Sequence, residues 1–169
     1  MNTSEFLVKK FGLTPHPEGG FFKETYRSAG KIGFENPGTD LDGERNYSTC
    51  IYFLLCSDSF SAFHRIIQDE IWHFYDGSPV ELHMISPTGN YSLVILGRNI
   101  HEEQVYQLVI PGGTWFAARV APGNDYSLVG CTVSPGFEFS DFELGNRESL
   151  LQILPEHEAI IRELTRTDS

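Results

Sequence analysis

Two side chains with acid–base or metal-binding chemistry, His64 and Glu70, stand six residues apart in an aromatic stretch of the chain. An imidazole and a carboxylate within reach of each other can bind a divalent metal ion, or they can transfer protons as a base and the acid that orients it. A buried ion pair that only stabilises the fold is the alternative. Since two polar residues facing an aromatic pocket are costly to bury without a function, His64 and Glu70 are the predicted catalytic residues.

Strand periodicity indicates which neighbours share a pocket with these two residues. Successive side chains of a strand point to opposite faces of the sheet. If Glu70 faces inward, Trp72 and Phe74 do so as well, and both are predicted to line the pocket as core residues on which a flat ligand can stack. His73 lies on the opposite face unless a bulge intervenes, and only with a bulge could it join His64 and Glu70 as a third metal ligand.

Polar residues outside this stretch give weaker signals. Arg27 ends the first predicted strand, where an arginine near a pocket mouth can bind a carboxylate or phosphate through two parallel hydrogen bonds; a surface salt bridge is the alternative. His16 falls in a turn that is expected at the surface. His83 is expected to face outward because its neighbours Leu82 and Met84 have the core pattern.

Short strands joined by turns are predicted to position these residues. Residues 3–11 have the spacing of an amphipathic helix, which Gly12 ends in the left-handed conformation. Residues 31–44 are rich in Gly, Pro and Asp and are predicted to form a mobile loop. Residues 147–165 regain helical spacing, and Pro155 divides them into two helices. The predicted strands are residues 21–28, 47–56, 60–66, 70–76, 80–86, 91–96, 104–110, 114–120 and 126–133.

Length and strand count indicate one all-β domain over residues 1–169. A chain of 169 residues is long enough for one hydrophobic core and too short to predict two domains. Strands with turns every few residues, and helices only at the ends, are typical of a sandwich or barrel, here over about residues 21–137. A small barrel holds one ligand among its inward-facing side chains, so a small-molecule partner is predicted.

Charge and cysteine content exclude other classes of partner. The formal net charge of −11 would repel nucleic acids and anionic membranes. No apolar run is long enough to span a membrane, and the N-terminus lacks the pattern of a signal peptide. Three cysteines without CxxC spacing are typical of reduced thiols, and a cytoplasmic protein is therefore predicted.

The motifs around His64 resemble those of the cupin superfamily. Residues 64–77 are similar to the first cupin motif, in which His-x-His, three residues, Glu, six residues and Gly follow one another. Residues 111–116 are similar to the second motif, Pro-x-Gly-x-x-His. The resemblance implies that His64 and Glu70 occupy metal-ligand positions, whereas Ile66 and Phe116 stand where metal cupins have histidines. Half of the ligand shell is missing, and Phe116 is expected to fill the space of a ligand and to line the site.

The resemblance is closer still to the small single-domain cupins of the "cupin 5" type, which are largely without assigned function. It covers nearly the whole chain: residues 15–20 with Arg27, residues 64–77, 111–116 and 134–137, and the terminal helices. The implied fold is a cupin-type β-barrel, or jelly roll, with short N-terminal and C-terminal helices. Small cupins commonly pair through barrel faces, so a homodimer is also implied.

Three functions follow from this resemblance. The first is an isomerase, epimerase or lyase without metal, acting on a small polar molecule that is sugar-like or carboxylated, with His64 as base and Tyr52, Tyr75 or Tyr126 as acid. The second is a cupin that binds such a ligand without transforming it. The third is a metal-dependent enzyme with an incomplete ligand shell. Whether the cofactor is a divalent metal ion or none stays open.

Overall fold

The predicted strands form two antiparallel sheets that pack face to face. The computed structural model describes residues 2–34, 41–122 and 125–167. Its helices are α1 (Thr3–Phe11), α2 (Arg147–Ile153) and α3 (Glu158–Glu163). Its strands are β1 (Thr14–Pro15), β2 (Phe21–Arg27), β3 (Lys31–Phe34), β4 (Gly43–Asn46), β5 (Thr49–Cys56), β6 (Phe60–Ile66), β7 (Asp69–Gly77), β8 (Val80–Ile85), β9 (Tyr91–Leu96), β10 (Gln107–Ile110), β11 (Trp115–Val120), β12 (Tyr126–Ser134) and β13 (Phe142–Leu144).

The two sheets have a jelly-roll arrangement. The first sheet has the order β1-β2-β5-β12-β7-β10, and the second has the order β13-β6-β11-β8-β9. The two sheets do not close into one continuous hydrogen-bonded barrel, and the site lies between their facing surfaces. This arrangement confirms the predicted all-β class with helices at the ends.

Three apolar clusters hold the layers together. The largest lies between the sheets and includes Phe53, Trp72 and Phe116, each about 1% exposed. Helices α2 and α3 cover the outer face of the second sheet, where Leu150 and Ile161 pack with other apolar residues. Helix α1 covers one end of the outer face of the first sheet. Burial of these surfaces drives the packing, since apolar area removed from water contributes about 25 cal/mol per Å².

The region predicted as a loop contains a small hairpin. Strands β3 and β4 pair with each other, and Ile32 lies opposite Arg45. Part of the Gly, Pro and Asp content that predicted a loop falls in residues 35–40, which lie outside the described residues. The predicted mobility of this region therefore stays a prediction. In the described part of the chain, no helix has the length and apolar content that a membrane crossing requires.

Candidate active site

His64 is held in one orientation by two protein contacts. It lies on β6, is 2% exposed, and faces the space between the sheets. Its Nδ1 lies 2.7 Å from the carbonyl oxygen of Ala62, and its Nε2 lies 3.0 Å from Oε2 of Glu18. A carbonyl oxygen can only accept, so the Nδ1 atom carries a proton and donates it to Ala62. The second ring nitrogen, Nε2, is left to contact the carboxyl of Glu18.

Glu18 is the carboxyl partner of His64, and it comes from the turn before β2. Its side chain is 7% exposed, and its Oε1 accepts a hydrogen bond of 2.7 Å from the hydroxyl of Ser61. The turn is closed by hydrogen bonds from His16 N to Gly20 O and from Gly19 N to His16 O, both 3.0 Å. The Glu18 carbonyl also accepts from the backbone N–H of Ala62 at 2.8 Å, which fixes the turn against β6.

The His64–Glu18 pair is held in its uncharged form. Burial lowers the pKa of His64 to about 3, because an imidazolium is disfavoured away from water. Burial, and to a smaller extent the nearby carboxyl of Glu70, raise the pKa of Glu18 well above its usual range. A neutral Glu18 then donates its proton to Nε2 of His64. The pair shares one proton that can move between an oxygen and a nitrogen 3.0 Å apart.

Glu70 lies on the opposite wall, on β7. Its Oε1 accepts a hydrogen bond of 2.9 Å from the indole N–H of Trp72, and its carboxyl also interacts with the thiol of Cys131. Burial raises the pKa of Glu70 to about 7, although the hydrogen bonds from Cys131 and Trp72 oppose this shift. The residue is therefore poised to gain or lose a proton near neutral pH.

The cavity between these groups is small and rich in aromatic side chains. Its volume is about 90 Å³, which is well below the roughly 300 Å³ of pockets that enclose drug-sized ligands. Only a small molecule, or one end of a larger molecule, fits within it. The lining residues are His16, Glu18, Phe22, Glu24, Arg27, Thr49, Ile51, Phe53, His64, Ile66, Glu70, Trp72, Cys131, Val133, Phe137, Glu138, Phe139 and Phe142.

Arg27 lies in the cavity wall with its guanidinium fully engaged by the protein. Its Nε and Nη2 donate to the two carboxylate oxygens of Glu24 at 3.0 and 2.8 Å. Its Nη1 donates to Glu138 at 2.8 Å and to Asn46 at 2.9 Å, and Nη2 also donates to the carbonyl of Phe137 at 3.0 Å. These contacts use the five N–H donors that a guanidinium has.

The other predicted ligand-binding residues differ in their access to the cavity. Trp72 lines it, whereas Phe74 packs on the edge of the core between the sheets. Phe116 is buried with its ring centroid 4.0 Å from that of His64, so it fills space beside the imidazole behind the cavity wall. Trp72 and Phe116 meet edge to face, with centroids 6.2 Å apart, which fixes the position of both rings.

His73 lies on the outer face of the first sheet, away from His64 and Glu70. Its Nε2 contacts the hydroxyl of Thr132 at 3.0 Å, and its Nδ1 contacts the amide of Gln107 at 2.9 Å. The bulge in the pairing of β7 with β12 lies between Leu128 and Val129 and does not turn His73 inward. His73 therefore lies on the face that strand alternation predicts, away from the position that a third metal ligand beside His64 and Glu70 would occupy.

The tyrosines expected as the acid do not line the cavity either. Tyr52 and Tyr75 contact each other edge to face at 6.0 Å on the outer face of the first sheet. Tyr126 donates a hydrogen bond of 2.8 Å to Asp76 at the surface. In the part of the chain that the structure describes, the titratable groups facing the cavity are carboxyls, imidazoles, the thiol of Cys131 and the guanidinium of Arg27.

Sequence reasoning missed the place of both His16 and Glu18 in the site. The His16 side chain is 7% exposed, lies edge to face against Phe22 with centroids 4.7 Å apart, and lines the cavity. Burial lowers the pKa of His16 to about 4, so this ring is neutral. His83, by contrast, faces away from the cavity as expected, although it is buried and contacts Tyr91 at 2.9 Å.

A metal ion held by protein ligands does not fit this donor set. Both ring nitrogens of His64 have protein partners, and Ile66 and Phe116 offer no ligand atoms. Over residues 2–34, 41–122 and 125–167, no group of three or more His, Cys, Asp and Glu side chains is arranged to hold a metal ion.

The fold and the site define a jelly-roll protein with a buried acid–base cavity between its sheets. Residues 5–145 match the family Cupin_5, described as "Cupin superfamily (DUF985)", and the chain belongs to this family. An uncharacterised protein of Saccharomyces cerevisiae, YML079W, is 33% identical over 144 residues, which cover 80% of this chain and 71% of the yeast protein.

Two solved structures place the fold in a wider context. A hypothetical protein from Leishmania major is 37% identical and superposes with a TM-score of 0.89, covering 97% of this chain and 99% of its own. A dTDP sugar isomerase from Desulfovibrio desulfuricans has a TM-score of 0.54 at 14% identity, covering 80% of this chain and 86% of its own. The second likeness concerns the fold alone.

Proposed function

We propose that this cupin binds a small polar molecule in the cavity and catalyses a proton-transfer reaction on it, an isomerisation, epimerisation or elimination. The observation that carries the proposal is the buried pair of His64 Nε2 and Glu18 Oε2, 3.0 Å apart and facing a cavity with a second carboxyl, Glu70, on the opposite wall. Burying titratable groups of this kind costs stability, and proteins that keep them usually use them for a function.

An isomerisation needs one group that removes a proton from the substrate and another that returns a proton elsewhere. With a pKa of about 7, Glu70 is partly ionised at neutral pH, and its carboxylate can take a proton from carbon or oxygen. Glu18 can deliver the proton that it shares with His64, and the carboxylate that remains keeps its hydrogen bond from the hydroxyl of Ser61. After the reaction Glu70 holds the proton taken from the substrate and Glu18 has lost one. The site returns to its starting state when Glu70 releases a proton to solvent and Glu18 regains one, so protons balance over one turnover.

Deuterium incorporation tests this proposal without knowledge of the product. The protein without a histidine tag is incubated in D₂O with pools of small sugars, hydroxy acids, keto acids and amines, and NMR follows the loss of C–H signals. We expect incorporation into at least one compound. We expect His64→Asn and Glu18→Gln to slow incorporation by roughly 10²–10⁴-fold, the range for loss of a general acid or base.

His73→Gln is the matched control, because it removes a histidine from the same barrel without touching the cavity. Circular dichroism and thermal unfolding establish that each variant is folded. Full incorporation by a folded His64→Asn variant would overturn the catalytic role of the pair.

A non-catalytic binding protein is the second candidate. Its support is that both ring nitrogens of His64 are already engaged by Ala62 and Glu18, so the imidazole is rigid even without a ligand. A compound that raises the unfolding temperature yet shows no deuterium incorporation would favour this function over catalysis.

A further inference from the structure

The charge of the cavity is unfavourable to an anionic ligand. Arg27 is the one lining residue, among those described, with a permanent positive charge. Its five donors bind Glu24, Glu138, Asn46 and the carbonyl of Phe137. A carboxylate or phosphate entering the mouth would find no free guanidinium donor and would approach the two carboxylates that hold the arginine.

The remaining titratable groups add no positive charge. The buried imidazoles of His16 and His64 are neutral, as derived above. Glu18 and Glu70 lie deeper, where each can become negative but not positive. Glu24 and Glu138 at the mouth have side chains 40% and 44% exposed, so they remain accessible beside Arg27. The mouth therefore carries an excess of one negative charge, two carboxylates against one guanidinium.

Aromatic faces surround this negative charge. Phe22, Phe53 and Trp72 line the inner wall, and Phe137, Phe139 and Phe142 form a cluster at the mouth with centroids 5.0–6.5 Å apart. The face of an aromatic ring attracts a cation, most strongly where water is excluded. In the described residues, the arginines that lie over rings are Arg65, Arg98 and Arg166, and their rings are outside this cavity.

We infer that the ligand of this cavity is a small organic cation, an amine or a methylated ammonium compound, bound between the mouth carboxylates and the aromatic rings. This inference rests on the proposed function, because it names the substrate class of the same site. An ammonium ligand is the opposite of the carboxylated ligand that Arg27 suggests from the sequence alone. Small size, carboxylates and ring faces together are the features with which proteins recognise ammonium groups.

A charge series of small compounds tests the inference. Ethanolamine and choline are cations, ethylene glycol is a neutral counterpart of ethanolamine, and glycolate is an anionic counterpart. The reporter is the indole N–H signal of Trp72 in a ¹⁵N-labelled sample, because that group lines the cavity and donates to Glu70. The second tryptophan, Trp115, lies outside the cavity under the C-terminal helices and is the internal control.

We expect at least one of the two cations to shift the Trp72 signal with an affinity roughly ten-fold higher than that of ethylene glycol, and glycolate to bind more weakly still. Equal affinity across the series, tighter binding of glycolate, or no shift with either cation would each overturn the inference.

A double variant, Glu24→Gln with Glu138→Gln, tests the mouth carboxylates directly. It removes two negative charges and leaves Arg27 unneutralised, so we expect the cation preference to fall at least ten-fold and glycolate binding to rise. The control is Glu44→Gln with Glu158→Gln, which removes the same charge from two exposed ion pairs outside the cavity. An unchanged preference in the mouth variant would overturn the inference.

Failure of this inference and failure of the catalytic proposal have different signatures. A cation that binds but never exchanges deuterium leaves the charge selectivity intact and refutes catalysis. A neutral or anionic compound that exchanges deuterium under control of His64 leaves catalysis intact and refutes the selectivity.

Discussion

At the scale of single residues, the site depends on carboxyls and imidazoles that burial keeps uncharged. Glu18 stabilises a neutral His64 by donating to Nε2, while Ala62 accepts from the other ring nitrogen. Glu70 has hydrogen-bonding partners, Trp72 and Cys131, but none of the described residues gives it a cationic partner that would keep it ionised. Among these three groups, Glu70 is the one that changes its charge near neutral pH. Its titration therefore tests directly whether burial raises its pKa.

The variant Glu70→Gln should change how stability depends on pH. The pKa of Glu70 rises from 4.5 to about 7 on folding, so folded protein binds more protons between these values. The stability that this group contributes is present below pH 4.5 and is lost as pH rises through 7. A neutral glutamine lacks this dependence and can still accept from Trp72. Relative to wild type, the variant should gain roughly 2 kcal/mol in free energy of unfolding between pH 5 and pH 8.

Urea unfolding at both pH values gives this difference. The comparison cancels the opposite contributions of His16 and His64, whose lowered pKa values cost stability as pH falls below 6.5 in both proteins. Parallel pH profiles for the two proteins would show that Glu70 titrates in the folded state as it does in the unfolded chain.

The sequence predicted part of the site at this scale. His64 and Glu70 were found because they belong to one continuous motif, and alternation put Trp72 with them and His73 on the other face. Glu18 was not found as the partner of His64, because a hydrogen bond between a turn and a distant strand leaves no local pattern. His16 looked exposed because a turn is normally at the surface, but here Phe139 and Phe142 pack near its ring at 5.9 and 5.8 Å.

At the scale of elements, the turn over residues 16–20 places Glu18. Gly19 in this turn has φ of 114°, and a Cβ atom there would lie 2.1 Å from the carbonyl oxygen of Phe60. We expect Gly19→Ala to lower the free energy of unfolding by more than about 2 kcal/mol and to displace Glu18 from His64. Urea unfolding measures the first effect, and the NMR shifts of the His64 ring measure the second.

Gly33→Ala is the matched control, since nothing lies within 4 Å of a Cβ at Gly33. It should change stability by less than about 0.5 kcal/mol and leave the His64 signals in place. Equal effects of the two substitutions would mean that the turn does not position Glu18.

The limits of the strands were predicted better than the pairing between strands. The limits of β6 and β9 agree with prediction, because apolar alternation and turn residues mark them clearly. Strands β6 and β7 follow each other in the chain after a short connection, which favours antiparallel pairing, yet they belong to different sheets. A two-residue connection can close a hairpin or cross between the sheets of a sandwich, and alternation specifies faces without specifying partners. His64 and Glu70 consequently face each other across the cavity from opposite sheets.

At the scale of the whole molecule, one sheet face remains partly uncovered. Helix α1 packs on one end of the outer face of the first sheet, and the rest of this face carries Tyr75 and Val109, which are 51% and 49% exposed. Five of the neighbouring outward residues are uncharged, although the chain has a net charge of −11 and Asp69 and Lys23 lie on the same face. They are Cys50, Ile71, His73, Gln107 and Thr132.

We propose that a second copy of the chain covers this face as a homodimer. Two copies with a charge of −11 repel each other, and a face on which most residues are uncharged is where they approach with a small electrostatic cost. Sedimentation equilibrium should show a dimer whose dissociation constant falls as salt is added, because ions screen the repulsion. Tyr75→Lys should weaken the dimer at least roughly ten-fold. Leu93→Lys, at an equally exposed position on β9 of the second sheet, should leave it unchanged, and a purely monomeric wild type or equal effects of the two lysines would contradict the proposal.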